Sequence, residues 1–151
     1  MIRRLRLDDS GSAILEFIFL AVVVLVPLVY LIASVATVQR SMLGVREASR
    51  EAGRAFATAA SSDSARGRTT AAVRLALANQ GLPDDATVRF VEPSSSCGGP
   101  EVAPSLTAGA EFAICVSRRV ELPGVPTLVQ GRGIMTVGRY VVHVDDFRAS
   151  S

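Results

Sequence analysis

Three groups of residues in this chain have types and spacings that could do chemistry. Near the N-terminus, Gly11, Ser12 and Glu16 precede Phe17, which opens a charge-free apolar run ending at Val38. A carboxylate at the mouth of such a run is expensive: insertion scales put a charged residue about 2.5–3.5 kcal/mol uphill at the helix centre, and less near the interface. Glu16 therefore either meets a cationic partner or snorkels to the headgroups. Further on, Cys97 and Cys115 are the two cysteines, an even count that fits a disulfide in an oxidising compartment; two unrelated reduced thiols in a cytosolic domain are the alternative. His143, the one histidine, stands two residues from Asp145 on the same face of an alternating stretch. A catalytic or metal-binding role would need distant partners that the sequence does not advertise, so His143 reads as a surface histidine. No Gly-rich phosphate loop, CxxC, HExxH or nucleophile elbow is present, and Gly131 and Gly133 around Arg132 read as loop glycines. The expectation is a non-catalytic chain without metal or cofactor.

The elements that must position these residues begin with the apolar run. The chain has 151 residues, 49% of them hydrophobic but only 5% aromatic, and a mean hydropathy of +0.36. The excess sits in Phe17 to Val38, about 22 residues that would rise roughly 33 Å as a helix. That is too long for the apolar core of a secretory signal and about right for one bilayer crossing, which excludes a purely soluble globular reading. Pro27 removes one helical hydrogen bond and predicts a local bend. No second such run follows, so a single anchor is expected, in contact with membrane lipid, with everything after Val38 on one side. A net charge of +2, from 16 scattered arginines and no lysine against 14 acids, is too small to suggest a nucleic-acid partner. Arg3, Arg4 and Arg6 before the span and Arg40, Arg46, Arg50 and Arg54 after it leave the orientation undecided. The cysteine argument then places the downstream region outside and the N-terminus in the cytoplasm.

After the run, Leu43, Val45, Ala48, Ala52, Phe56 and Ala59 recur at three- and four-residue steps, predicting an amphipathic continuation of the same helix, from Ser12 to about residue 60. Glu47 and Glu51 can pair with Arg50 and Arg54 at i+3. Residues 61–68 read as a Ser/Gly/Arg linker, and a short helix capped by Thr69 or Thr70 is expected to run to Asn79 with Ala72, Leu75 and Ala76 inward. Three alternating runs follow, around Val88 and Phe90, around Phe112, Ile114 and Val116, and from Ile134 to Val144, where Gly138 suggests a bulge. The fold class is α+β: a long helix, half transmembrane and half amphipathic, then a small antiparallel head. A Cys97–Cys115 bridge would close a loop of about 18 residues and contribute roughly 3 kcal/mol in the chain-entropy model.

Gly11, four small or apolar residues, Glu16, Phe17 and a long apolar helix, all behind a short basic leader, resemble the class III signal of type IV prepilins. The resemblance implies that a prepilin peptidase cuts after Gly11 on the cytoplasmic face, making Ser12 the new N-terminus and Glu16 the fifth mature residue. Glycine at the cut lets the backbone extend into a cleft, and the α-ammonium released can neutralise a buried carboxylate, in the family that of a neighbouring subunit. Glu16 with Phe17 would thus register one subunit against the next. Arg50, Glu51, Ala52, Gly53, Arg54 and Ala55 resemble the Arg-Glu-Gly-Ala-Arg-Ala region of TadE-like proteins, pseudopilins of the tight-adherence (Flp) pilus, with the small pair swapped. The resemblance covers roughly the first 60 residues well and the strand-rich remainder, ending near Asp146, Phe147 and Arg148, in outline. It implies leader 1–11, transmembrane helix 12–39, amphipathic extension 40–60, linker 61–68 and extracytoplasmic head 69–151. The implied partners are the prepilin peptidase, other pilin or pseudopilin subunits and the pilus assembly platform, with the protein residing in the cytoplasmic (inner) membrane. A type II secretion or competence pseudopilin, and an uncleaved single-pass, signal-anchored binding or sensing domain, are the alternatives.

Overall fold

The structure is a computed structural model that describes residues 10–123, 125, 131 and 133–147, with the backbone alone for residues 10–12. Residues 1–9, most of the expected leader, lie outside the described residues. The elements are α1 (Ser10–Ala57), α2 (Ser62–Asn79), β1 (Thr87–Val91), β2 (Glu111–Val120) and β3 (Ile134–His143), an α+β architecture. The chain divides into two compact units, Met1–Ala36 and Thr37–Ser151, and α1 runs through the division.

In the first unit, α1 is long and apolar enough to cross a membrane, and residues 13–33 are exposed throughout. The helix continues past Pro27, whose ring removes one backbone bond from the ladder.

In the second unit, residues 40–57 of α1 are not an extension beside the head; they are part of its core. Val45, Ala48, Ala52 and Phe56 join Ala65, Val73, Ala76 and Leu77 of α2 and Phe112, Ile114, Val116 and Val142 of the sheet in one buried cluster. Leu43, expected on this face, is 59% exposed. The buried stripe is instead made of small residues, with Ser41, Gly44, Ser49 and Gly53 beside Val45, Ala48 and Ala52, so helix and sheet approach closely.

The expected linker 61–68 is helix. Ser61 caps α2: its hydroxyl accepts from the Ser64 amide while the Ser64 hydroxyl accepts from the Ser61 amide, a capping box that satisfies two otherwise orphaned donors. The longer helix carries a buried stripe that begins before the expected cap. Ala65, Thr69, Val73, Ala76 and Leu77 face inward, and Leu75 is 63% exposed. Arg68 reaches the Thr58 carbonyl and Gln80 donates to Glu47, so α2 runs back along α1. That contact also leaves Glu51–Arg54 as the i,i+3 ion pair among the described residues of α1.

The three strands form an antiparallel sheet in the order β1-β2-β3. Val88, Phe90, Phe112, Ile114, Val116, Gly138 and Val142 lie on the face toward the helices by register. Phe56, Phe90 and Phe112 meet with ring centroids 4.9–6.0 Å apart, two of the three contacts edge-on. Gly138 pairs with Val116 in an unbroken ladder, so no bulge forms there. Its missing side chain answers a different need: a Cβ on Gly138 would lie 2.0 Å from the Val45 carbonyl oxygen. Here strand backbone rests directly on helix backbone.

Candidate functional site

Two stretches of α1 carry candidate residues. At the N-terminal end the Gly11–Ser12 peptide lies in the first turn of the helix. The first four amides of a helix have no intrahelical acceptor, so this turn is the least costly to open for a protease. Glu16 and Phe17 follow one turn on, both exposed, Phe17 by 72%. Glu16, within an apolar helix, has no ion pair among the described residues. Successive residues of a helix are turned by about 100°, so Glu16 and Phe17 mark adjoining sectors of its surface.

The second stretch, around Ser41, belongs to a polar cluster of the second unit that the sequence does not announce. Arg118 of β2, 8% exposed, holds Asp85 through two bonds, Nε to Oδ1 at 2.8 Å and Nη2 to Oδ2 at 3.0 Å. Its Nη1 donates to the Ser41 hydroxyl of α1, which bonds the Thr136 hydroxyl of β3 at 2.8 Å; Thr136 in turn donates to the Arg118 carbonyl. The forked guanidinium thus ties α1, β2, β3 and the α2–β1 connection together, and meets the polar groups that Ser41, Arg118 and Thr136 bury. The hydrogen bonds from Arg118 hold the Asp85 carboxyl below its usual range, against the opposing effect of partial burial. Ser41 and Arg118 are 77 residues apart, and no local pattern announces such a pairing.

The two cysteines are joined. Cys97 and Cys115 form a disulfide with 5.7 Å between their Cα atoms. Cys115 faces away from the helices, in a second small cluster with Val91 and Ala113. The chain around Cys97 is held on that side of the sheet by the bridge and by Arg89, which donates to the carbonyls of Cys97 and Gly99 at 3.1 Å each, while Glu101 and Val102 run along the edge of β1 at Val91 and Phe90. β2 is consequently buried on both faces over residues 112–116, although its sequence alternates as if one face were open.

His143 is exposed, bonded through Nδ1 to Glu111 at 3.0 Å and near Asp146 at 3.5 Å. The Glu111 hydrogen bond raises its pKa above the ordinary value. Asp145, two residues from His143 in the sequence, is not among its partners; the Asp145 Oδ1 accepts from the Phe147 amide. Among the described residues no group of three or more His, Cys, Asp or Glu side chains is placed to hold a metal ion.

No protein-family model, curated protein or solved structure matches the chain.

Proposed function

We propose that this chain is a minor pilin or pseudopilin of the TadE-like kind, inserted with its N-terminus in the cytoplasm, matured after Gly11 and acting by assembly into a tight-adherence pilus. The observation that carries the reading is the single helix that runs from the Gly11-to-Phe17 motif through the apolar segment and becomes part of the head's core. A subunit stored in a membrane and then moved into a filament needs its anchor and head coupled in this way. The disulfide supports an extracytoplasmic head, because such bonds persist in oxidising compartments. In this reading Gly11 and Ser12 are the cleavage site, Glu16 and Phe17 register neighbouring subunits, and the peptidase, other pilins and the assembly platform are the partners. The protein performs no catalysis.

Mass spectrometry of the membrane-extracted protein from cells with an active prepilin peptidase tests it. The expected mature chain begins at Ser12, and Gly11→Leu leaves the leader in place while the helix still inserts. An intact leader on the wild-type chain overturns the assignment in favour of a signal-anchored domain.

A further inference from the structure

A groove of about 540 Å³ opens on the second unit where α1 enters it. Thr37 and Arg40 of α1, Asp85, and Arg118, Arg119 and Glu121 at the end of β2 are among the residues that line it. Thr37 and Arg40 bracket Val38, the last residue of the charge-free run. At 1.5 Å per residue, Arg40 stands about 3 Å along the helix beyond that residue. For a chain anchored by this run, Arg40 therefore stands near the depth of the lipid headgroups.

Its charges are unevenly spent. Arg118 is occupied by Asp85, which cancels one charge of each sign. Arg40 and Arg119 are exposed and make no ion pair among the described residues, and Glu121 also lines the groove. Among the described lining residues, two guanidiniums against one carboxylate leave a net positive charge, and guanidinium forks suit phosphate oxygens.

We infer that this groove seats the phosphate of an anionic phospholipid headgroup, with Arg40 and Arg119 as the two arms of the site. The inference rests on the membrane-anchored reading of α1. It makes the lipid a contact of the second unit that is given up when the subunit leaves the membrane. Glu121 limits the affinity, so that the contact is reversible.

The test uses the full-length chain reconstituted into mixed phosphatidylcholine and phosphatidylglycerol bilayers, with native mass spectrometry to count the lipids that stay bound on release. Phosphatidylglycerol should be retained in preference to phosphatidylcholine. A basic side chain near an anionic surface strengthens binding by about fivefold, so Arg40→Gln and Arg119→Gln should each weaken retention by about that factor, and their combination by about 25-fold. Glu121→Gln should strengthen it. Arg54→Gln, the same loss of charge outside the groove, should change nothing. Equal loss with Arg54→Gln, or unchanged retention in the double variant, overturns the site while leaving the anchor intact. Displacement of the lipid by millimolar inorganic phosphate would identify a free-anion site and overturn the headgroup assignment. Release of the wild-type chain from the bilayers by alkaline washing overturns the anchor and the site together.

Discussion

Gly138→Ala adds one methyl group where the strand backbone meets the helix backbone. The new Cβ would fall 2.0 Å from the Val45 oxygen, 2.3 Å from the Val45 carbonyl carbon and 2.7 Å from the Arg46 nitrogen. Carbon atoms do not approach non-bonded oxygen so closely, and both partners are backbone, so no rotamer change can relieve the contact. Helix and strand must separate by about 1 Å, which forfeits a quarter to a half of each dispersion contact across the interface around Val45 and Ala48. Overpacking of this kind costs about 1–3 kcal/mol, and the upper end applies where nothing flexible can give. Against it stands a gain of roughly 0.5–1 kcal/mol from replacing a strand glycine. The net expectation is a loss of about 2–2.5 kcal/mol. Hydrogen exchange of the β2 amides in the detergent-solubilised full-length chain reads this directly, as roughly 30- to 70-fold faster exchange. Gly67→Ala is the control. Gly67 lies inside α2 with nothing within 4 Å of its would-be Cβ, and the same substitution there should stabilise by about 0.8–1 kcal/mol. If Gly138→Ala exchanges at the wild-type rate, strand and helix do not touch at this point and the account of the core is wrong.

Glu16→Ala should insert and be cleaved after Gly11 as well as wild type, yet fail to enter filaments, because a neighbour's α-ammonium then loses its partner at a typical cost of about 3–5 kcal/mol for a broken buried pair; wild-type pilus yield on shear fractionation would reduce Glu16 to a snorkelling residue. Asp85 has a folded pKa below its unfolded value, so its stabilisation is present above about pH 4 and is lost as pH falls through the folded value. Asp85→Asn should therefore flatten the acid limb of a stability profile while costing about 1–3 kcal/mol at neutral pH, and an unchanged acid limb would show that another carboxylate governs it. Alkylation of freshly isolated protein without reductant should label neither Cys97 nor Cys115, and replacing both by serine should cost about 3 kcal/mol; full labelling of both would remove the argument for an extracytoplasmic head.

What was legible in the sequence was what depends on short-range periodicity. The apolar run, the helical steps from Val45 to Ala59 and the three alternating strands each follow from one element meeting one face. The disulfide was legible by elimination, since there were two cysteines to pair. The start of α2 was not, because Ser61 to Arg68 has the composition of a loop; the Ser61 and Ser64 pair with Asp63 in the first turn was the available signal. Missing that start hid the part of the buried stripe that begins at Ala65. Gly138 looked like a bulge because a strand glycine is ambiguous until the opposing backbone is known. The Arg118, Asp85, Ser41 and Thr136 cluster joins four separate elements, and chain-local patterns carry no information about such meetings. The groove lined by Arg40 and Arg119 was hidden for the same reason, the two residues being distant in the chain.

Ser41 meets Thr136, Val45 meets Gly138, and Gly53 meets Tyr140 and Val142, so β3 advances in the same direction as α1. The two keep step: the helix rises about 18 Å from Ser41 to Gly53 while the strand covers about 20 Å from Thr136 to Val142. A tension applied along α1 therefore loads these contacts in shear, all at once, instead of peeling them one after another. The head is geared to be towed by its own helix.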